Sequence, residues 1–305
     1  MNTGLPTPKK TFLKKLTRGY SLRKDGKLLR NIDPMRKLLP YLFTTRNGSI
    51  VHAPETVEFD SAREFIRKIA RENPSLSIGT FEIIIAALVR TLSQYPYLNR
   101  FVAGKKLFAR NDVSVSFIVL KLENGEYKET NAKVYFNKED TLFDVAKKVN
   151  ENIKLCQSSS DKTDDTLMNI VTKLPSPIIN FAVILVKKFS DWGLLPLSFI
   201  KAVPLYSTAY VSNLGSIGHS ALNHHLYEWG TTSLFLTMGK LKRTNEINKY
   251  GQVDTKTSLD IVVTLDERIA DGIYLVKALR YFKSLLKHPE RLLEPPKVIV
   301  EDDGI

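Results

Sequence analysis

Two stretches decide how this chain is read: Tyr210-Val211-Ser212-Asn213-Leu214-Gly215-Ser216-Ile217-Gly218 and, about fifty residues later, Thr264-Leu265-Asp266-Glu267-Arg268-Ile269-Ala270-Asp271-Gly272. Each is a strand-like run that ends in turn residues or charge. After the first strand come two glycines and several hydroxyls, a turn that can aim a serine into a cleft to donate to a developing oxyanion. In the second, Asp271 stands where a helix begins and can accept the unpaired N–H groups of its first turn. Taken singly, a satisfied turn and a helix cap account for both stretches.

Outward from them, residues 271–287 read as a helix with Ile273, Val276, Leu279, Phe282, Leu285 and Leu286 on one stripe, stopped by Pro289. Strands are expected at 209–212, 233–238 and 258–265. In the first half, helical spacing covers 62–72, 78–92 and 141–155, the second of these apolar nearly all round as for a buried helix. Alternation marks strands at 113–122 and 132–136, and the polar 158–165 reads as a surface linker. No repeat and no long Gly/Ser or Pro-rich linker divides the chain. These elements make a mixed α+β domain, helices laid on a largely β framework.

The 305 residues are 43% apolar and 25% charged, which excludes wholesale disorder, and the one cysteine, Cys156, excludes an internal disulfide and favours a cytoplasmic location. Charge is the unusual quantity: 45 basic against 32 acidic residues, net +13. Nine of the first 30 residues are Lys or Arg against Asp25 alone, so +8 sits there and +5 elsewhere. Residues 1–30 therefore read as a solvated basic arm, without the apolar centre of a signal peptide. With only Phe12 and Tyr20 interleaved, specific nucleic-acid binding is not expected, while a weak tether to an anionic membrane surface stays open. The run Ile178–Val186 is too short to span a bilayer and reads as a buried or groove-lining helix, with an interfacial position as the alternative. Dinucleotide, phosphate-loop, zinc-protease and lipase-elbow motifs are absent from the sequence.

The two opening stretches in this order, Ser-Asn-Leu-Gly-x-x-Gly and Asp-x-Arg-x-x-Asp-Gly, followed by a helix ending Leu-Leu-Lys-His-Pro-Glu-Arg-Leu-Leu, resemble the catalytic domain of the dihydrolipoyl acyltransferases of the 2-oxoacid dehydrogenases, in the chloramphenicol acetyltransferase-like superfamily. Met35-Arg36-Lys37-Leu38-Leu39-Pro40 and Gln94-Tyr95-Pro96-Tyr97-Leu98-Asn99 resemble further segments of that family. The resemblance runs over roughly 31–296, leaving 297–305 as a tail. It implies a chloramphenicol acetyltransferase-like two-layer sandwich, a mixed β-sheet with helices packed on it, in a stand-alone member with no lipoyl module ahead of it.

It also implies acyl transfer from a thioester, with coenzyme A or acyl-coenzyme A as substrate, no permanently bound cofactor or metal, and a homotrimer whose sites lie between subunits. By that resemblance Ser212 stabilises the oxyanion, Asp271 holds the active-site loop through Arg36, and Asn213, Gly215, Ser216 and Tyr210 line the substrate path, with Tyr206 and Ser207 beside them. The family's general base is a histidine, and here Glu267 takes its place. A solvated carboxylate near 4.3 is a poor base for a thiol near 8.5. Three readings follow: a desolvated Glu267 acts as base; Glu267 orients His224 or His225, as the acid does in a Ser-His-Asp relay; or the fold is kept as a silent binding or scaffold protein.

Overall fold

The computed structural model describes residues 23–302 apart from Ser75, Asn124 and 159–172. The first 22 residues of the basic arm and all of the expected linker except Ser158 lie outside the described residues.

Alternation builds the main sheet. In β5 (Val113–Glu123) Val113, Val115, Phe117 and Val119 are all buried in one core, while Ser114 and Ser116 face the other way. With β2 (Ile50–Glu58), β6 (Glu126–Phe136), β7 (Ala209–Asn213), β8 (Leu234–Ile247) and β9 (Val253–Asp266) it forms a six-stranded sheet in the order β2-β9-β8-β7-β5-β6. The β8–β7 and β7–β5 pairs are parallel and the rest antiparallel. β2 escapes notice in the sequence because Pro54 interrupts it, and the strand tolerates that proline because it lies at the sheet edge.

Four helices cover one face of this sheet: α2 (Asp60–Glu72), α3 (Thr80–Gln94), α4 (Leu142–Ser158) and α7 (Gly272–Lys287). Their apolar stripes and the inward residues of all six strands form one core. Every residue of α3 from Glu82 to Ser93 is buried, as its uniform composition implied. At about 1.5–3 kcal/mol for each large apolar side chain, α3 is the most costly helix to expose. The result is the α+β two-layer arrangement expected.

The opposite face carries smaller clusters. Tyr210, Leu226 and Phe235 pack beneath the loop 218–233, and Leu195, Ile200 and Tyr206 pack beside α6 (Leu197–Ala202). Lys133 of β6 latches that helix, its Nζ donating to the carbonyls of Ile200 at 2.7 Å and Val203 at 3.1 Å. Burial, reinforced by Arg110, pushes its ammonium down from 10.5 to about 7. Between about 7 and 10.5 the unfolded chain keeps a proton that the folded chain has lost, so stability rises with pH across that window and the cost is fully present below 7. Wild type should therefore gain stability relative to Lys133→Met between pH 7 and pH 10, measured by urea unfolding, and a constant difference would refute the shift.

The N-terminal end of the described chain differs from expectation. Residues 23–30 belong to the body: β1 (Gly26–Leu28) joins β4 (Lys106–Arg110) and β3 (Arg100–Ala103) in an antiparallel sheet ordered β1-β4-β3. Buried Arg23 and Asp25 pair at 2.7 Å, and the Arg23 guanidinium lies 4.7 Å from the Phe101 ring centre. That neutralisation lets a charged stretch enter the interior, which a count of charges cannot reveal. The tail is docked too, since the carboxylate of Asp302 receives Arg100 at 2.7 and 2.5 Å.

The apolar segment also departs from its reading. α5 (Ser176–Trp192) buries only Ser190, leaving Phe181 67% and Trp192 58% exposed. It ends at Gly193, whose φ of +72° and the backbone of Arg23, 2.7 Å from where a Cβ would stand, both require glycine.

Candidate active site

α1 (Pro34–Leu42) is capped by Asp33, which accepts from the N–H groups of Met35 and Arg36. The following turn fixes Arg36 toward α7. One Asp271 oxygen caps α7 through the Tyr274 N–H at 2.7 Å, and the other receives Arg36 at 2.6 Å. Arg36 and Asp271, named together by the resemblance, are thus in direct contact. Because the pair is partly exposed, Arg36→Ala should cost at most about 1 kcal/mol. Asp271→Ala loses the cap as well and should cost about 1–2 kcal/mol, read from urea unfolding.

Glu267 sits between two buried charges. The Asp266 carboxylate accepts from Arg268 through Nε at 2.8 Å and Nη2 at 2.7 Å, and from the Ser49 hydroxyl at 3.1 Å, with Arg46 Nε 3.8 Å away. Arg268 also donates to the Phe43 carbonyl, and Arg46 to those of Tyr227 and Gly230. Glu228 closes the frame by accepting the N–H groups of Arg46 and Asn47 at 3.1 and 2.8 Å. With both neighbours turned inward, Glu267 projects outward and is exposed. Within one chain the desolvated-base reading is therefore not met.

Register locates the rest. Ser212 lies opposite Thr237, and the Asp266 N–H bonds the Ser233 carbonyl, so Glu267 comes level with residue 232. Five positions, from 232 to 237, separate the two levels, on the order of 17 Å along the strand. Ser212 and Glu267 of one chain thus stand well apart, on strands separated by β8. His224 lies between these levels, stacked on Phe235 with ring centres 3.9 Å apart. Burial lowers its pKa, and its Nδ1 lies 2.7 Å from the His225 carbonyl. His225 is exposed. No hydrogen bond or ion pair among the described residues joins either histidine to Glu267.

Ser212, Asn213 and Ser216 line a cleft of about 440 Å³. Its other walls include Phe81, Phe117, Val119, Ile153 and Ile217, and Glu82 at the start of α3. Burial raises the pKa of Glu82, opposed by the Gly79 N–H that donates to it at 2.8 Å. Asn213 accepts from the Ser216 N–H at 3.2 Å, and Ser216 donates to the Asn213 carbonyl at 2.7 Å, fixing the turn. A polar rim with an apolar wall suits an acyl group whose carbonyl stays near Ser212.

Other expected lining residues are packed into the body of the chain and do not line this cleft. Tyr210 is buried, stacked on Phe235, with its hydroxyl bonded to Asn131, and burial holds its pKa far above the usual range. Tyr206 and Ser207 are buried as well. At Gly215 a Cβ would stand 2.5 Å from the Gly239 carbonyl, so this glycine lets the turn touch β8, and it is not among the residues lining this cleft. Missed in the sequence were Arg46, Glu228 and the Asp266–Arg268 pair. The i, i+2 carboxylate and guanidinium inside the second motif were the available signal for the last.

Residues 206–294 match the family model described as 2-oxoacid dehydrogenases acyltransferase (catalytic domain). No curated protein sequence matches the chain. Among solved structures, the chain is similar to the dihydrolipoamide acetyltransferase of Azotobacter vinelandii at 14% identity, covering 96% of this chain and 100% of that one with a TM-score of 0.55. The cubic core of the pyruvate dehydrogenase multienzyme complex is similar at 13% identity, with the same coverage and TM-score. Chloramphenicol acetyltransferase follows at 12% identity, 86% and 99% coverage and a TM-score of 0.51. The fold is therefore the chloramphenicol acetyltransferase-like one.

Proposed function

Taking the match over residues 206–294 as the premise, we propose that this chain is an acyltransferase that draws on acyl-coenzyme A and completes its site between copies of itself, as a homotrimer or a multiple of one. The separation of Ser212 from Glu267, on the order of 17 Å along the strand, supports this reading, because groups that far apart share a site only across a subunit boundary. In the assembly Glu267 of one copy faces Ser212 of the next, and the exposed His225 on the 218–233 loop supplies the imidazole that Glu267 orients.

The chemistry then balances without a resident cofactor. The imidazole takes the acceptor thiol's proton, the sulfur attacks the acyl carbon, and the negative oxygen of the tetrahedral intermediate accepts from the Ser212 hydroxyl. As the bond to the coenzyme A sulfur breaks, the imidazolium returns the proton to that thiolate. A thiol of pKa about 8.5 is about one-tenth thiolate at pH 7.5, so the demand on the base is modest. A cytoplasmic location, in keeping with the lone Cys156, belongs to the same proposal.

The test is release of free coenzyme A from several acyl-coenzyme A donors, with a small dithiol as acceptor, by wild type, Glu267→Gln and His225→Ala. Both variants should lose about 10²-fold or more, the usual contribution of acid–base catalysis. A monomer by light scattering at micromolar concentration would remove the shared site. The exposure of Glu267 favours a second reading, a silent acyltransferase-like binding or scaffold protein. Equal background rates in all three proteins with acyl-coenzyme A binding retained in calorimetry would establish it.

A further inference from the structure

The main sheet forks beside Ser212. β7 runs alongside β5 only as far as the Phe117–Val211 pair, yet it stays with β8 to the Asn213–Met238 pair. The turn that follows is drawn onto β8 by the close approach of Gly215 to Gly239. β5 itself continues to Glu123. From Ile118 onward, no strand among the described residues pairs with the β7 side of β5. The cleft of about 440 Å³ lies in that gap, lined by Ile118, Val119 and Leu120 as well as by Ser212.

Alternation decides which backbone groups face the gap. Ser114 meets the β7 side through both of its own: its C=O accepts the Thr208 N–H at 2.9 Å and its N–H donates to the Thr208 hydroxyl at 3.1 Å. The groups of Ser116, Ile118 and Leu120 turn the same way. Beyond the fork, Leu120 therefore presents an N–H and a C=O to the cleft with no strand beside them. An aliphatic chain lying there would cover both and pair with neither, at the cost of burying unsatisfied polar groups. An amide-bearing chain would pair with both, as an added strand does at a sheet edge.

We propose that the acyl group taken by this cleft is peptide-like: a short peptidyl chain running antiparallel to β5, with its thioester carbonyl at Ser212. Ser212 stands level with Ile118 by the register of β7, and Leu120 lies two residues on, about 7 Å along the strand. An extended chain whose last carbonyl is at Ser212 thus places its next-to-last residue opposite Leu120. There the two residues exchange both N–H···O bonds. An acetyl group would leave most of the cleft to water and Leu120 without a partner. The inference rests on the acyl-transfer reading for its chemistry, whereas the pairing at Leu120 does not.

The test compares three coenzyme A thioesters with the small dithiol as acceptor: N-acetyl-alanylglycyl, the same donor methylated on the alanine nitrogen, and octanoyl, which matches the first in chain length. The peptidyl donor should exceed octanoyl by about tenfold or more in kcat/KM, the worth of two backbone hydrogen bonds. The methylated donor should lose that advantage, because the Leu120 C=O no longer receives an N–H. Equal kcat/KM for all three, or a preference for octanoyl, overturns the proposal while leaving acyl transfer in place. A second measurement needs no transfer: hydrogen exchange at the Leu120 N–H should slow in millimolar N-acetyl-alanylglycinamide and not in its N-methylalanyl counterpart. Slowing without release of coenzyme A from any donor would keep the peptide subsite and overturn the transferase reading. Absence of both effects overturns the two together.

Discussion

Asp266→Ala should destabilise the protein by about 3–5 kcal/mol, the cost of leaving a buried charge without its partner. Asp266 is inaccessible to solvent, and Arg268 and Arg46 are nearly so. Removing the carboxylate takes the counter-charge from two guanidinium groups, while the Ser49 hydroxyl keeps the Thr45 and Arg46 carbonyls as acceptors. The loss should spread, because Arg46 also holds the 218–233 loop through Tyr227 and Gly230. Replacing Asp266 and Arg268 together with apolar residues should recover part of the loss, since the desolvation cost of both ions disappears. Urea unfolding of the two variants decides the matter: a loss below about 1 kcal/mol in Asp266→Ala would mean that water reaches the network.

Ser212→Ala should cost about 10²–10³ in kcat, or about 2.7–4 kcal/mol of transition-state stabilisation, with melting unchanged. Both halves of that expectation come from the structure. The hydroxyl opens on the cleft, and no hydrogen bond among the described residues engages it. A donor idle in the ground state costs the fold nothing to remove. If the site is shared, mixing inactive Ser212→Ala with inactive Glu267→Gln and allowing subunits to exchange should restore activity, because some boundaries then join an intact Ser212 to an intact Glu267. Coenzyme A release at the sum of the two separate rates would place both residues in one chain's own site.

The sequence made the helical layer legible because α3 and α7 declare themselves by composition and spacing, and Asp271 by its position ahead of an apolar stripe. The Arg36–Asp271 clamp was legible only through resemblance, since 235 positions separate the partners and no local pattern links them. β1, β3 and β4 were missed because strands of three to five residues carry little alternation, β2 because Pro54 interrupts it, and in β1 charge concealed a paired interior. The burial of Tyr210 was missed for another reason: its partner Asn131 comes from a different part of the sheet. Glu267 needed the structure most, because its exposure is decided by the inward turn of its neighbours Asp266 and Arg268.

The latch between Arg100 and Asp302 has a consequence for how the protein is made. Arg100 is almost fully buried, yet its counter-charge leaves the ribosome about two hundred residues later. Until then the nascent domain holds an uncompensated cation beside its smaller sheet, which raises the energy of every near-native state. A chain cut before Asp302 should therefore be more open to proteolysis than one that carries this residue.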